Sequence, residues 1–400
     1  MTVYIAGTFD TKASELHFVQ QLLHKQGLET CMVDLSTAGG TPSIPVDVSA
    51  LTVANCHPGG SSAVFTGDRG TAITGMTEAF SAYLGSQANV SAVIGLGGSG
   101  GTAVVGPAFQ NLPIGIPKII VSTMASGNIA PYVGASDICM MYSVTDIGGL
   151  NSVLERVLAN AAHALVGMLQ HQHKRQSNSA PSIGMTMFGV TTTCVEALRT
   201  SLDPEYSGVI FHATGTGGNS MEKLVENGFL TGVIDATTTE VADHLMDGVL
   251  SAGPGRMDIF AQMAIPYVGS CGAVDMVNFG SRDSVPARYK DRLFYQHNSH
   301  VTLMRTTAEE NARIGEWIGE KLTHFKGPAR FLIPENGFSA LDAPDQAFYD
   351  PEARTAFITS LTDAVKSCAH IEVICLPHHI NDAAFAVALK ENFLELYGDN

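Results

Sequence analysis

Between Glu78 and Asp137 the chain carries a single charged residue, Lys118. A run so poor in charge belongs in a buried environment, either a bilayer or a protein core. Pro107, Pro113, Pro117 and repeated glycines cut it into pieces much shorter than the roughly 20 apolar residues of a membrane helix. The pieces that remain, such as "SAVIG" and "KIIVST", read as strands buried on both faces. Such strands belong to parallel sheets covered by helices.

The same alternation runs through the whole chain. "VYIAG" is followed by the helical pattern "TKASELHFVQQLLHKQG", then "CMVD", then a helix from about Gly70 to Tyr83. The polar stretch "QHQHKRQSNSAPS" (170–182) reads as a linker, after which strands and helices start again with "SIGMTMFGV". The expected fold class is α/β: two Rossmann-like open parallel-sheet domains, 1–178 and 179–400, related by duplication and facing an interdomain cleft. Acid is unevenly shared, with 7 basic and 10 acidic residues up to 178 and 15 and 28 beyond it.

A net charge of -16 disfavours nucleic acid or an anionic membrane as partner. Seven cysteines without a CxxC pair fit reduced thiols, and the N-terminus enters a strand without a basic leader. The expected location is the cytoplasm. An anion site on so acidic a chain has to be built from backbone amides and a few chosen side chains.

"VIGLGGSGGT" (93–102) offers such amides. It contains the spacing Gly95-x-Gly97-x-x-Gly100 between a strand and a helix. Glycines admit close approach of a ligand, and a helix start binds anions. A dinucleotide fingerprint has an acidic residue about 20 positions on, and none stands near Ile114–Ile120. A Walker loop needs a following Gly-Lys-Ser/Thr, which is absent. Gly97, Gly98, Ser99, Gly100 and Thr102 are therefore candidates for a phosphate cradle. Thr8, Asp10, Thr11 and Lys12 join them from the end of the first strand. Lys12 begins a helix, where its charge opposes the dipole, so a phosphate or Asp10 is its expected partner.

In the second half "TGTGGNS" repeats the glycine loop, and Gly217, Gly218 and Asn219 are candidate substrate contacts. The reading takes the two loops as following corresponding strands. Asn219–Glu222, Thr193–Glu196, Thr237–Glu240 and Thr307–Glu310 all have capping-box spacing. Surplus hydroxyls in the two "TTT" runs make Thr191 and Thr238 candidates for ligand contact, together with Asn298 of "HNSH". "HHIND" follows a strand, and His378 with Asp382 is suited to acid–base work, with Asp275 of "GAVDMVNFG" as a further catalytic candidate. Adjacent histidines point different ways, so no metal ligand set is assigned.

Taken together, "GTFDTKASE", "GLGGSGGT", "TGTGGNSMEKL", "DATTTEVADHL", "GAVDMVNFG", "HNSHVTLMRTTAEE", "DPEA" and "HHIND" resemble, in order and over essentially the full length, the ATP-binding family named after a plant tobamovirus-resistance protein. The resemblance implies ATP as ligand and a homodimer or higher homo-oligomer; Mg2+ is the companion that phosphoryl chemistry would call for. It brings no established reaction. Three functions fit: an ATP-binding protein, an enzyme for a small phosphorylated or carboxylated metabolite, and an ATP-gated interaction module.

Overall fold

The computed structural model describes residues 2–39, 42–171 and 180–398. The chain divides into two compact units, 1–175 and 176–400. Residues 172–179 of the expected linker lie outside the described residues.

The first unit runs β1 (Thr2–Gly7), α1 (Phe9–Lys25), β2 (Glu29–Asp34), α2 (Ala50–Ala54), α3 (Arg69–Gly85), β3 (Val90–Gly97), α4 (Ser99–Gln110), β4 (Lys118–Ser122), α5 (Ala130–Val133), β5 (Cys139–Tyr142) and α6 (Ser152–Gln170). Its strands form one parallel sheet in the order β2-β1-β3-β4-β5. Alternate residues face opposite sides, so each strand feeds two cores. Ile5, Ile94 and Val121 pack with Leu16 and Val19 of α1 and Leu158 and Leu165 of α6. Ala6, Val93 and Ile120 pack with Phe80 of α3 and Val105 and Phe109 of α4. This explains the charge-free run: it is the double-sided interior of this sheet. Lys118, its one charge, is buried and paired with Asp137 at 2.6 Å.

The second unit runs β6 (Ser182–Met187), α7 (Thr192–Leu202), β7 (Ser207–His212), α8 (Thr216–Glu226), β8 (Gly232–Thr237), α9 (Thr239–Leu245), β9 (Tyr267–Gly272), β10 (Met276–Phe279), β11 (Phe294–Asn298), β12 (Val301–Arg305), α10 (Ala308–Leu322), β13 (Ala329–Pro334), α11 (Pro351–Val365), β14 (Ile371–Leu376) and α12 (Ala383–Gly398). Six strands form a parallel sheet ordered β14-β13-β9-β8-β6-β7. Helices α7 and α12 cover one face, while α8, α10 and α11 cover the other. The first strand of each unit lies between its second and third, so the two sheets share one winding pattern. A separate antiparallel sheet, β10-β12-β11, completes the unit. The sequence reading does not contain this sheet. Among the described residues no helix is long and apolar enough to cross a membrane.

Candidate functional site

In the first unit the chain leaves β1 for α1 on one face and β3 for α4 on the other. Neighbouring strands whose connections diverge open a crevice at their C-terminal ends. A cleft of about 850 Å³ lies there. Thr8, Asp10, Thr11 and Lys12 line it from the start of α1, and Gly98, Ser99, Gly100 and Gly101 from the start of α4. Phe65, Arg69 and Ile73 form another wall.

The two helix starts in this cleft differ in one respect. At α1, the Asp34 carboxylate accepts from Phe9 N at 3.2 Å, and Ser36 Oγ accepts from Asp10 N at 3.0 Å. Those amides are already satisfied by the end of β2. At α4, Gly98 is the cap and contributes no side chain, and the first helical return is Thr102 N to Gly98 O at 2.9 Å. The amides of Ser99, Gly100 and Gly101 precede that bond and have no capping side chain, and all three residues line the cleft. Lys12 departs from helical geometry, and its Nζ donates to Ile147 O at 2.5 Å instead of to Asp10.

Two candidates sit beneath the loop and not at its surface. A Cβ at Gly97 would stand 2.8 Å from Gly101 Cα and Thr102 N, so this glycine serves close strand–helix packing. Thr102 is fully buried; its hydroxyl donates to Gly98 O at 2.8 Å and lies 2.6 Å from Ser122 Oγ. Both brace the loop from behind.

The second glycine loop corrects its sequence reading. It follows β7, the second and edge strand of its sheet, whereas the first loop follows the third strand, β3. The counterpart of β3 is β8, which leads into "TTTE". The start of α8 is also filled from within. Glu240 Oε1 accepts from Gly215 N at 2.6 Å and Gly218 N at 3.0 Å. A Cβ at Gly218 would collide with that carboxylate, and one at Gly217 with His212 O. Glu240 Oε2 also receives Arg256 Nε at 2.9 Å. Arg256 further binds Glu222 at 2.7 Å and Asp235 at 2.8 Å, and Tyr267 OH donates to Asp235 at 3.0 Å. Burial pushes the Glu222 and Glu240 carboxyls up, with Arg256 opposing. Burial works against the Arg256 charge, but the three carboxylates hold its pKa well above the ordinary value. Asn219 therefore lies inside α8 and caps nothing. Thr237 ends β8, and Thr193 lies inside α7. Of the four capping-box spacings, Thr307–Glu310 forms one.

Of the second unit's remaining candidates, Asp275 and Asp382 are linked through Ser339 and His379, Thr191 lies beside Val190, which Ala340 and Asn381 bond, and Asn298 stands apart. Thr191 Oγ1 lies 2.8 Å from Thr237 Oγ1, and Thr238 Oγ1 donates to Ser270 O at 3.0 Å; all three threonines are buried. Asp275 is fully buried beneath Ser339, whose hydroxyl donates to it at 2.8 Å. Burial and the nearby Asp342 carboxylate push Asp275 up to about 7. Asn298 is exposed at the β11–β12 turn and accepts from His300 N at 2.8 Å. Asp382 accepts from the backbone N of His379 at 2.7 Å. The ring tied into the surroundings is that of His379, to Ser339 O at 2.9 Å, and not that of His378. Among the described residues no group of three or more His, Cys, Asp or Glu side chains is placed to hold a metal.

Two family models cover the chain: the N-terminal domain of the uncharacterised protein family UPF0261 matches residues 1–174, and its C-terminal domain 180–397. The chain belongs to the UPF0261 family. It is 49% identical over 387 residues to UPF0261 protein RA0729 of Rhizobium meliloti, covering 96% of each chain. It is 41% identical over 402 residues to a UPF0261 protein of Clostridium tetani, covering 98% of each. It is also similar to the ToMV resistance protein Tm-1(GCR237) of Solanum lycopersicum, 41% identical over 418 residues, spanning 98% of this chain and 55% of that protein.

In this UPF0261 chain the cleft contains groups the sequence reading passed over, notably Phe65, Gly101 and Arg69. They come from α4, from the start of α3 and from the chain before it, brought together by the packing of α3 on α4, where Ile73 approaches Gly100. The spacing of Gly101 was visible in the loop; nothing local marks the other two.

Proposed function

We propose that this UPF0261 protein binds ATP in the first unit's cleft, with phosphates on the start of α4. The open, uncapped α4 terminus carries the reading: Ser99, Gly100 and Gly101 offer amides at the positive end of a 12-residue helix. The α1 and α8 starts have their own carboxylates and are poor competitors. The strand order β2-β1-β3-β4-β5 supports a Rossmann-like unit with its ligand at the β1/β3 crevice. A dinucleotide is disfavoured because Asp34, the acid ending β2, is buried and engaged by Phe9 N and Ser36. Leu35, Phe65 and Ile73 supply apolar wall for a base, and Lys12 supplies charge for phosphate. Asp10 lines the same cleft, and its carboxylate would meet a Mg2+ ion carried by the nucleotide. The shared strand order favours duplication of one ancestral unit. The enzyme reading has less support, since Thr191 and Thr238 are consumed by internal bonds and Asp275, bonded to Ser339 through one oxygen only, is fully buried. Titration calorimetry with and without Mg2+ tests the proposal: saturable ATP binding is expected, and its absence in both conditions overturns it.

A further inference from the structure

Among the described basic residues of the first unit, Lys12 and Arg69 line the cleft. They are differently placed. Lys12 already has an acceptor in Ile147 O. Arg69 is exposed and opens α3, where a cation is repelled by the helix dipole. Its neighbour Asp68 does not neutralise it. That carboxylate caps α3, accepting from Thr71 N at 2.9 Å and Thr71 Oγ1 at 3.0 Å. The first unit's ion pairs among the described residues, His57–Glu78 and Lys118–Asp137, leave Arg69 out. Its Nη2 would lie 3.7 Å from a Cβ placed on Gly100, so the guanidinium stands over the first turn of α4.

We infer that Arg69 is the residue that distinguishes a nucleoside polyphosphate from a monophosphate. The inference rests on the nucleotide reading of this cleft. The α4 amides hold one phosphoryl group. A guanidinium on a different helix, facing that turn, is placed to take a further one. Its planar fork matches two phosphate oxygens, which an ammonium does not. A ligand with one phosphate satisfies the amides and leaves Arg69 idle; a ligand with two or three reaches both.

The test measures AMP, ADP and ATP affinities on the full-length wild type, Arg69→Gln and Arg69→Lys, with thermal unfolding as the check on folding. The wild type is expected to favour ATP over AMP. Arg69→Gln is expected to weaken ATP by about 10- to 100-fold, the scale of charge-assisted hydrogen bonds. AMP is expected to change less than about threefold, and Arg69→Lys to recover part of the ATP loss. Equal weakening of AMP and ATP, or no weakening of either, overturns the role of Arg69 while leaving nucleotide binding in place. A wild type that binds AMP as tightly as ATP does the same. A wild type that binds none of the three overturns the nucleotide reading and this inference with it.

Discussion

Replacing Glu240 by alanine tests whether the second glycine loop is closed by an internal anion. The carboxylate accepts three hydrogen bonds, from Gly215 N, Gly218 N and Arg256 Nε. Arg256 keeps Glu222 and Asp235, so no bare cation is left behind. Two buried amides and one guanidinium N–H lose their acceptor. Unsatisfied buried donors cost about 1–3 kcal/mol each, and water entering the vacated volume recovers part of that. Burial already penalises this carboxylate, which lowers the net loss further. The expected destabilisation is about 3–5 kcal/mol, the range for breaking a buried ion pair. For a unit of this size that is a drop in melting temperature of roughly 6–20 °C. Differential scanning calorimetry reads it, in the transition expected not to shift when ATP is added. Formate or acetate should refill the vacancy and raise the variant's melting temperature more than the wild type's. A variant within about 1 kcal/mol of wild type, with no carboxylate rescue, refutes the reasoning.

The two adjacent glycines of the first loop should separate packing from binding. Gly97→Ala places a methyl 2.8 Å from the α4 backbone and should cost about 1–3 kcal/mol by chemical denaturation. Gly98 has an ordinary φ of -80°, and its nearest obstacle is Thr123 Oγ1 at 3.7 Å. Gly98→Val should therefore change stability by less than about 1 kcal/mol while lowering ATP affinity at least tenfold in calorimetric titration. Burial pushes Asp243 up from 3.8 to about 7, despite hydrogen bonds from Leu250 and Asn278. The folded state then holds a proton that the unfolded state releases, so stability should fall as pH rises from about 4 to about 7, by up to about 4 kcal/mol per such carboxyl. Urea melts across that window should show a shallower fall for Asp243→Asn, with Asp275 and the other carboxyls that burial raises, Glu222, Glu240 and Asp342, contributing to the remainder. Thr307→Ala removes the capping box of α10 and should cost about 1 kcal/mol in the same assay.

The parallel sheets were legible because strands buried on both faces lose nearly all their charges, as residues 79–136 do with Lys118 alone. The antiparallel sheet was not. β10 is the four-residue "MVNF", and β11, "FYQHN", is largely exposed, so neither gives an apolar run or a clear alternation. The first glycine loop was read correctly as a strand-to-helix turn. The placement of its charged surroundings was out of reach, because Arg69 at a helix start looks like any solvated cation until α3 packs on α4. The second loop misled for a related reason. Glycines that admit a ligand also admit the protein's own carboxylate, and Glu240 lies 22 residues beyond Gly218. The threonine runs that suggested ligand hydroxyls include a pair spent on each other, Thr191 before α7 against Thr237 at the end of β8.

Hydrogen exchange at the two glycine loops, measured on the full chain with and without ATP, tests the central claim most directly. ATP should slow exchange at Ser99, Gly100 and Gly101, whose amides lack a capping group, and leave Gly215–Gly218 unchanged because Glu240 already holds those amides. Protection at Gly215–Gly218 without protection at Ser99–Gly101 would contradict the assignment of the phosphates to the first unit.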